Sequence, residues 1–271
     1  RYYYWNIYIL VNKMKKSNNI SYRELINIFL RSFFIQAVYN YQSMLAIGFC
    51  FALKPISRKL FKDKEKLKNF YTRHLHFFNA HPYFSSYALG AISRLEEEQA
   101  KEKNDDYSNI ERLKNALIGP LGALGDQLVW VTIRPASILF AMAFILIITN
   151  IKLQLLILTI SLLLYNIPHL YIRFCGILNG YRQGVNVYKL LTLDKFKSLR
   201  NVYRTIGALS LGILFSYSIV NYTGENLFNG IIFLISMFCA YLYKKIKQSF
   251  YGSILLPLLL SILLGVIIEN I

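Results

Sequence analysis

Apolar and polar positions along this chain follow two different spacings, and the division falls near residue 128. Beyond it come five apolar stretches, Leu128 to Thr149, Leu153 to Ile172, Ile206 to Tyr222, Leu227 to Tyr243 and Ser249 to Ile268. Each is close to the ~20 residues that carry a helix across a bilayer. Ahead of residue 128 the pattern is finer. Ile20-Ser-Tyr-Arg-Glu-Leu25 is a helix start, with Ser21 and Glu24 at capping-box spacing and Ile20 and Leu25 at staple spacing. That helix leads into Phe29 to Leu53, mostly apolar but carrying Arg31, Gln36, Asn40 and Gln42. Buried polar groups need partners, so this segment is expected to pack on protein or lie at an interface.

Two stretches break the helical pattern. In Asn115 to Pro135, Gly119, Gly122 and Gly125 recur every three residues, a spacing that would let another backbone approach one helix face. Pro120 argues against a simple continuous helix there. Between Ala116 and Pro135 only Asp126 and Arg134 are charged, and intramembrane ionisable residues mark functional sites by default. On one continuous helix those two would stand near ~12 Å apart and would need different partners. Pro82-Tyr-Phe-Ser-Ser-Tyr-Ala-Leu-Gly90 is the second interruption. A pair of glycine- or proline-broken apolar segments is the sequence pointer to a membrane substrate site. The pattern therefore predicts an all-α polytopic membrane protein: amphipathic N-terminal helices and helix-broken, re-entrant-like segments, followed by about five transmembrane helices. Its regions are 14–127, helical with charged connectors, and 128–271, the transmembrane bundle.

Composition sharpens this. The 271 residues are 55% hydrophobic, yet the formal charge is +17. Such a combination suits basic cytoplasmic loops against anionic headgroups. The Lys and Arg residues lie between apolar spans without a recognition motif, which excludes nucleic acid as the partner. Ser57 to Arg73 holds seven basic residues against Asp63 and Glu65, and reads as a solvated helix face or a dock for an acidic partner. Arg94 to Lys114 holds seven of the fourteen acidic residues and reads as a soluble, mobile connector. Arg173 to Arg204 carries seven basic residues and one acid, and Lys244, Lys245 and Lys247 form another basic patch. The positive-inside rule then places the N-terminus in the cytoplasm and the C-terminus outside. Residues 1–13 precede Met14, which looks like a natural start, so they are expected to be an upstream extension.

Catalytic chemistry does not declare itself. There is no phosphate-binding glycine loop and no nucleophile triad or acid pair. Cys50, Cys175 and Cys239 stand far apart in apolar runs and read as small core residues. His74, His76 and His81 fall within eight residues, but the spacing of His74 and His76 does not share a helical face and no cysteine or carboxylate adjoins them. Neither metal nor cofactor is expected.

These residues resemble the IID component of the mannose, fructose and sorbose class of the bacterial sugar phosphotransferase system. The likeness runs in order through Phe29-Leu-Arg-Ser, Tyr39-Asn-Tyr, Met44, Gly48-Phe-Cys-Phe51, Arg73-His-Leu, Phe77-Phe-Asn79, Pro82-Tyr83, Gly119-Pro-Leu, Gly125-Asp126, Trp130, Arg134-Pro135 and Gly180-Tyr181. The resemblance implies a non-catalytic half of a permease in the bacterial cytoplasmic membrane. A IIC subunit would pair with it, as a trimer of IIC-IID pairs, and soluble IIA and IIB domains would carry phosphate to a hexose. Anionic lipids are expected around it. Asn40, Gln42, Asn79, His81 and Asp126 are then the candidates to line or support the sugar path, with Gly119, Pro120, Gly122, Gly125, Trp130 and Arg134 shaping it. The chain departs from the common family pattern at Gln42 and His76, where Glu is usual, at His81, where Gln is usual, at Gln127, where Pro is usual, and in its short 221–226 connection. Gln at 42 offers a donor and an acceptor but no charge. A diverged paralog that senses or receives without transporting is the alternative, and a membrane enzyme built on the histidine-rich stretch is a further one.

Overall fold

A computed structural model describes residues 20–102 and 106–223, with single helical positions at 231, 235, 238, 242 and 259. Every element of it is helical, apart from two isolated bridges. Helix α1, Tyr22–Ser32, starts as its sequence dictates: the Glu24 carboxylate accepts the Ser21 backbone N–H at 2.7 Å as well as the Ser21 hydroxyl. Ile20 and Leu25 are both buried, and Leu25, Ile28 and Ser32 form the inward stripe.

The polar residues in the next stretch end α1 instead of prolonging it. Asn40 closes a turn, its side-chain oxygen accepting the backbone N–H groups of Gln42 at 3.1 Å and Ser43 at 2.8 Å. Met44 takes a left-handed φ of 55° at the exit. Leu45 then donates to the Phe78 carbonyl at 2.9 Å, which ties this turn to the 75–84 connection. Helix α2, Ala46–Leu60, returns along α1. Gly48 permits the approach, since a Cβ there would lie 2.1 Å from the Ile35 carbonyl oxygen. Helix α3, Lys64–His74, is capped by Asp63, whose carboxylate accepts from Glu65 and Lys66 N–H at 3.0 Å each. Its lysines face outward, whereas Arg73 and His74 turn inward.

Helix α4, Ser85–Glu102, is the axis of the fold. Residues 84–93 are all buried, so the helix is enclosed by protein on every side. It lies along α7, Ile151–Gln183, with backbones nearly touching. A Cβ on Gly90 would fall 2.1 Å from the Ile177 carbonyl oxygen, and one on Gly180 would fall 2.3 Å from that of Tyr87. We expect Gly90→Val to separate these helices and cost about 2–4 kcal/mol. The check is a fall in the thermal midpoint of the purified protein relative to Gly119→Ala, where a Cβ meets nothing within 4 Å.

This corrects one expectation. Over residues 94–102 the acidic stretch is no mobile connector, because α4 continues to Glu102 with Glu96 and Glu97 fully buried. Buried charge requires paired charge. Glu96 accepts from Arg73 Nε at 2.6 Å and Nη2 at 2.5 Å, and sits 2.9 Å from His74 Nε2. Glu97 bonds the Tyr181 hydroxyl and lies 3.1 Å from Lys101 Nζ. Lys114 is buried as well, its ammonium donating to the carbonyls of Arg73, His74 and His76 at 3.4, 3.1 and 2.9 Å. It thereby caps the carbonyl end of α3.

The second correction concerns Pro120. It lies inside α5, Ser108–Gly125, and helical backbone then runs on through residues 126–133 into α6, Arg134–Ile147. Proline removes one donor and does not here break the rod. Likewise Pro82 to Phe84 is a turn just ahead of α4, so that segment is the entrance to a buried helix. Short 3₁₀ turns, Gly184–Leu190 and Leu193–Phe196, lead into α8, Lys197–Thr223, which packs on α6.

Two helical stretches among the described residues, Ser108–Ile147 and Ile151–Leu190, are long and apolar enough to cross a membrane. Their outward faces are aliphatic: Ile138, Met142, Leu146, Leu155, Leu158 and Leu162 are all exposed. The expected span 153–172 falls within the second, 128–149 falls within the first except for its last two residues, and 206–222 falls on α8. The spans 227–243 and 249–268, the Lys244 to Lys247 patch and residues 1–13 lie outside the described residues.

Candidate functional site

Three separate elements meet at a cleft of about 450 Å³. The 33–45 turn gives Gln36 and Tyr39, the approach to α4 gives Asn79, His81 and Pro82, and the long helix gives Gly122, Asp126 and Trp130. The Asp126 carboxylate is exposed there, with no hydrogen bond or ion pair among the described residues. Gly125 has a local reason: its missing Cβ is replaced by the His81 ring, whose Cβ and Cγ stand 2.2 Å from where that atom would be.

His81 is 3% exposed. Burial, helped by the positive charge of Arg173, lowers its pKa to about 4, so the ring is neutral at ordinary pH. The Tyr83 backbone N–H donates to Nδ1 at 3.3 Å, which assigns the ring proton to Nε2. That Nε2 has no partner among the described residues. The ring meets Trp130 edge-on at 5.8 Å. His74 is neutral for the same leading reason, burial, against the opposing pull of Glu96. Both histidines refuse a proton that the unfolded chain accepts, so they contribute nothing above about pH 6.5 and destabilise as pH falls below it, His81 down to about 4. The thermal midpoint of the purified protein is expected to drop between pH 7 and pH 5, and His81→Gln is expected to flatten part of that drop.

A second cleft of about 470 Å³ shares Gln36, Pro82 and Trp130 with the first and continues past them to Tyr83, Arg134, Ile138, Leu162 and Tyr165. Trp130 is therefore a partition between two compartments of one groove. Gly122, Asp126, Trp130 and Arg134 stand four residues apart and all line this groove. In an α-helix each step of four drifts by ~40°. Here Asp126–Ile133 is a π-helical turn, which rotates less per residue and takes out that drift. The Thr132 hydroxyl bonds the Gln127 carbonyl at 2.9 Å, five residues back. Pro135 follows, and its ring would crowd the carbonyl four residues earlier in a regular α-ladder.

Of the residues picked from sequence, Asn79, His81, Gly122, Asp126 and Trp130 border the first cleft and Arg134 the second. Gly125 packs beneath His81, and Gly119 and Pro120 face outward on α5. Asn40 is occupied in its turn, and Gln42 is exposed beside it outside both linings. Sequence reasoning missed Gln36, Tyr39 and the Tyr83 to Tyr165 hydroxyl pair at 2.6 Å. Arg173, which lies 5.0 Å from the Tyr83 ring and donates to the Ser32 carbonyl, was also missed. The two tyrosines stand 82 positions apart, and Arg173 and Ser32 stand 141 apart, pairings no local pattern encodes. Among the described residues no group of His, Cys, Asp or Glu is placed to hold a metal ion.

A family model described as the PTS system mannose/fructose/sorbose family IID component matches residues 19–268. The chain is similar to the fructose permease IID component of Bacillus subtilis, 30% identical over 204 residues, which cover 75% of this chain and 72% of that protein. Its likeness to the mannose-specific EIID component of Escherichia coli is 32% over 195 residues, 72% of this chain and 65% of that protein. One similar solved chain belongs to a cryo-EM complex of the mannose transporter ManYZ with a microcin. There the TM-score is 0.56 at 30% identity, over 73% of this chain and 71% of that one. Another, described as a membrane protein, gives a TM-score of 0.60 at 31% identity, over 72% and 70%.

Proposed function

Because the chain belongs to the mannose/fructose/sorbose IID component family of the phosphotransferase system, we propose that it is the non-catalytic IID half of a hexose permease. It works with a IIC subunit in a trimer of pairs, N-terminus inside and C-terminus outside the bacterial cytoplasmic membrane. Soluble IIA and IIB domains supply the phosphoryl group, and the exposed lysines of α3 and its flanks give them an electropositive landing face.

One observation carries this reading: a carboxylate with no partner among the described residues, an amide and an indole line one open cleft from three elements, with the His81 ring packed into its wall. That set suits a polyhydroxylated ring. The carboxylate accepts from hydroxyls, Asn79 both donates and accepts, and Trp130 offers an apolar face to ring C–H groups. The cleft is open on one side, which leaves the remaining wall to IIC. The chain spans about two thirds of the E. coli relative, so the substrate range is proposed for this chain on its own residues.

The test is accumulation of labelled mannose, fructose, sorbose and amino sugars in a transport-deficient bacterium. The cells express this chain with the IIC, IIA and IIB partners. Phosphorylated hexose inside the cell is the expected result. No accumulation of any hexose, with all subunits present in the membrane, would refute the transport reading in favour of a sensor or receptor.

A further inference from the structure

The second compartment of the groove differs chemically from the first. Its cation, Arg134, is exposed and, among the described residues, has no anionic partner and one ring contact, the Trp130 face at 5.8 Å. Beside it the Tyr83 and Tyr165 hydroxyls share one hydrogen bond, so the pair keeps one proton to donate outward. Arg173 adds positive charge beneath the Tyr83 ring. One turn further along α6 the lining changes to Ile138, 49% exposed, and across from it on α7 to Leu162, 55% exposed. These two belong to the aliphatic outer face of the candidate spans. The compartment is thus cationic and hydroxylic at one end and aliphatic at the other.

We propose that this compartment binds one anionic phospholipid, its phosphodiester on Arg134 and the Tyr83 to Tyr165 pair, its acyl chain along Ile138 and Leu162. A sugar or a free phosphate has no use for the aliphatic end, and a zwitterionic lipid gains less from an uncompensated guanidinium. Arg134 stands near the start of the 128–149 span, which the positive-inside orientation assigns to the cytoplasmic leaflet, where anionic lipids are found. The proposal rests on the membrane-spanning part of the permease reading. Seated there, the lipid headgroup faces Trp130 from the side opposite the sugar cleft, so its presence biases the partition between the two.

The test uses the native membrane complex purified through a tag on this chain. It is reconstituted in nanodiscs of phosphatidylcholine with or without phosphatidylglycerol, and retained lipid is read by native mass spectrometry. Retention of one phosphatidylglycerol per copy is expected. Arg134→Gln is expected to lower it about tenfold, the loss of one charge-assisted contact, and the groove-filling Ile138→Trp is expected to lower it by excluding the acyl chain. Helical content and subunit co-purification serve as folding controls. Equal retention in the wild type and Arg134→Gln would overturn the proposal. So would displacement of the lipid by excess inorganic phosphate, or a photocrosslinker at position 138 that labels a protein subunit and no lipid. If carbonate extracts the chain from membranes, the spanning reading fails instead, and the two failures are distinguishable.

Discussion

Glu96→Ala is expected to lower stability by about 3–5 kcal/mol, the range for breaking a buried ion pair from one side. Burial alone would raise the Glu96 carboxyl, but the hydrogen bonds from Arg73 and His74 and the charge of Arg73 outweigh it and hold the group below the ordinary carboxylate value. Without that carboxylate the Arg73 guanidinium, 6% exposed, is left among the described residues with aromatic faces, of which Tyr107 at 3.9 Å is the nearest. The measurement is the thermal midpoint and monodisperse yield in mild detergent. Glu98→Ala is the control. Its partner Arg94 and its own side chain are on the surface, and removing it should move stability by less than about 1 kcal/mol. A double change of Arg73→Met with Glu96→Leu should recover much of the loss, because a well-packed apolar pair can replace a buried ionic one. Equal effects of Glu96→Ala and Glu98→Ala would remove the buried pair from its place at the centre of the fold.

Asp126→Asn is expected to cut hexose accumulation about tenfold to a hundredfold while the protein remains in the membrane. Asparagine keeps the shape but trades a charged acceptor for a neutral one, and hydrogen bonds to a charged group are stronger by roughly 1–2 kcal/mol each. Nothing in the described residues depends on this carboxylate for folding, so subunit levels should not change. Trp130→Ala in the same assay should weaken uptake through the loss of both the ring platform and the partition between compartments. Uptake unchanged by Asp126→Asn would reduce that residue to surface, and the cleft would lose its principal acceptor.

Much of the frame is legible from residues alone, and for local reasons. The Ser21 to Glu24 cap and the Ile20 to Leu25 staple are encoded within six residues. The apolar runs after residue 128 reflect length and polarity only; of the three that lie within the described residues, two fall on helices long and apolar enough to cross a membrane and the third falls on α8. Asn79, His81 and Asp126 were selectable as polar groups set among small and apolar ones, and they share one cleft. What could not be read is long-range pairing. Seven acids in 21 residues look like solvent-exposed sequence until Arg73, His74 and Tyr181 are known to sit opposite. One local clue existed: Tyr87 to Ile92 is apolar or small all round the helix, so a continuing helix would drag its next charges inside. Pro120 misled because proline's penalty is local, whereas the long helix is held by packing on both sides of it. The π-helical turn had no readable period, since its effect is to cancel one.

The seat of Lys114 at the end of α3 has a consequence for how this region responds to its surroundings. Three carbonyl oxygens there chelate an ammonium that is tethered to the chain itself, much as a pore lining holds a captive ion. Mobile electrolyte cannot compete for a position it does not reach, so added salt leaves that corner intact. The lysine fringe a few residues upstream has no such shelter. Under the proposed docking of a phosphocarrier on that fringe, ionic strength would release it well before the helix beneath begins to loosen, so a simple salt wash would undock it and leave the membrane half undamaged.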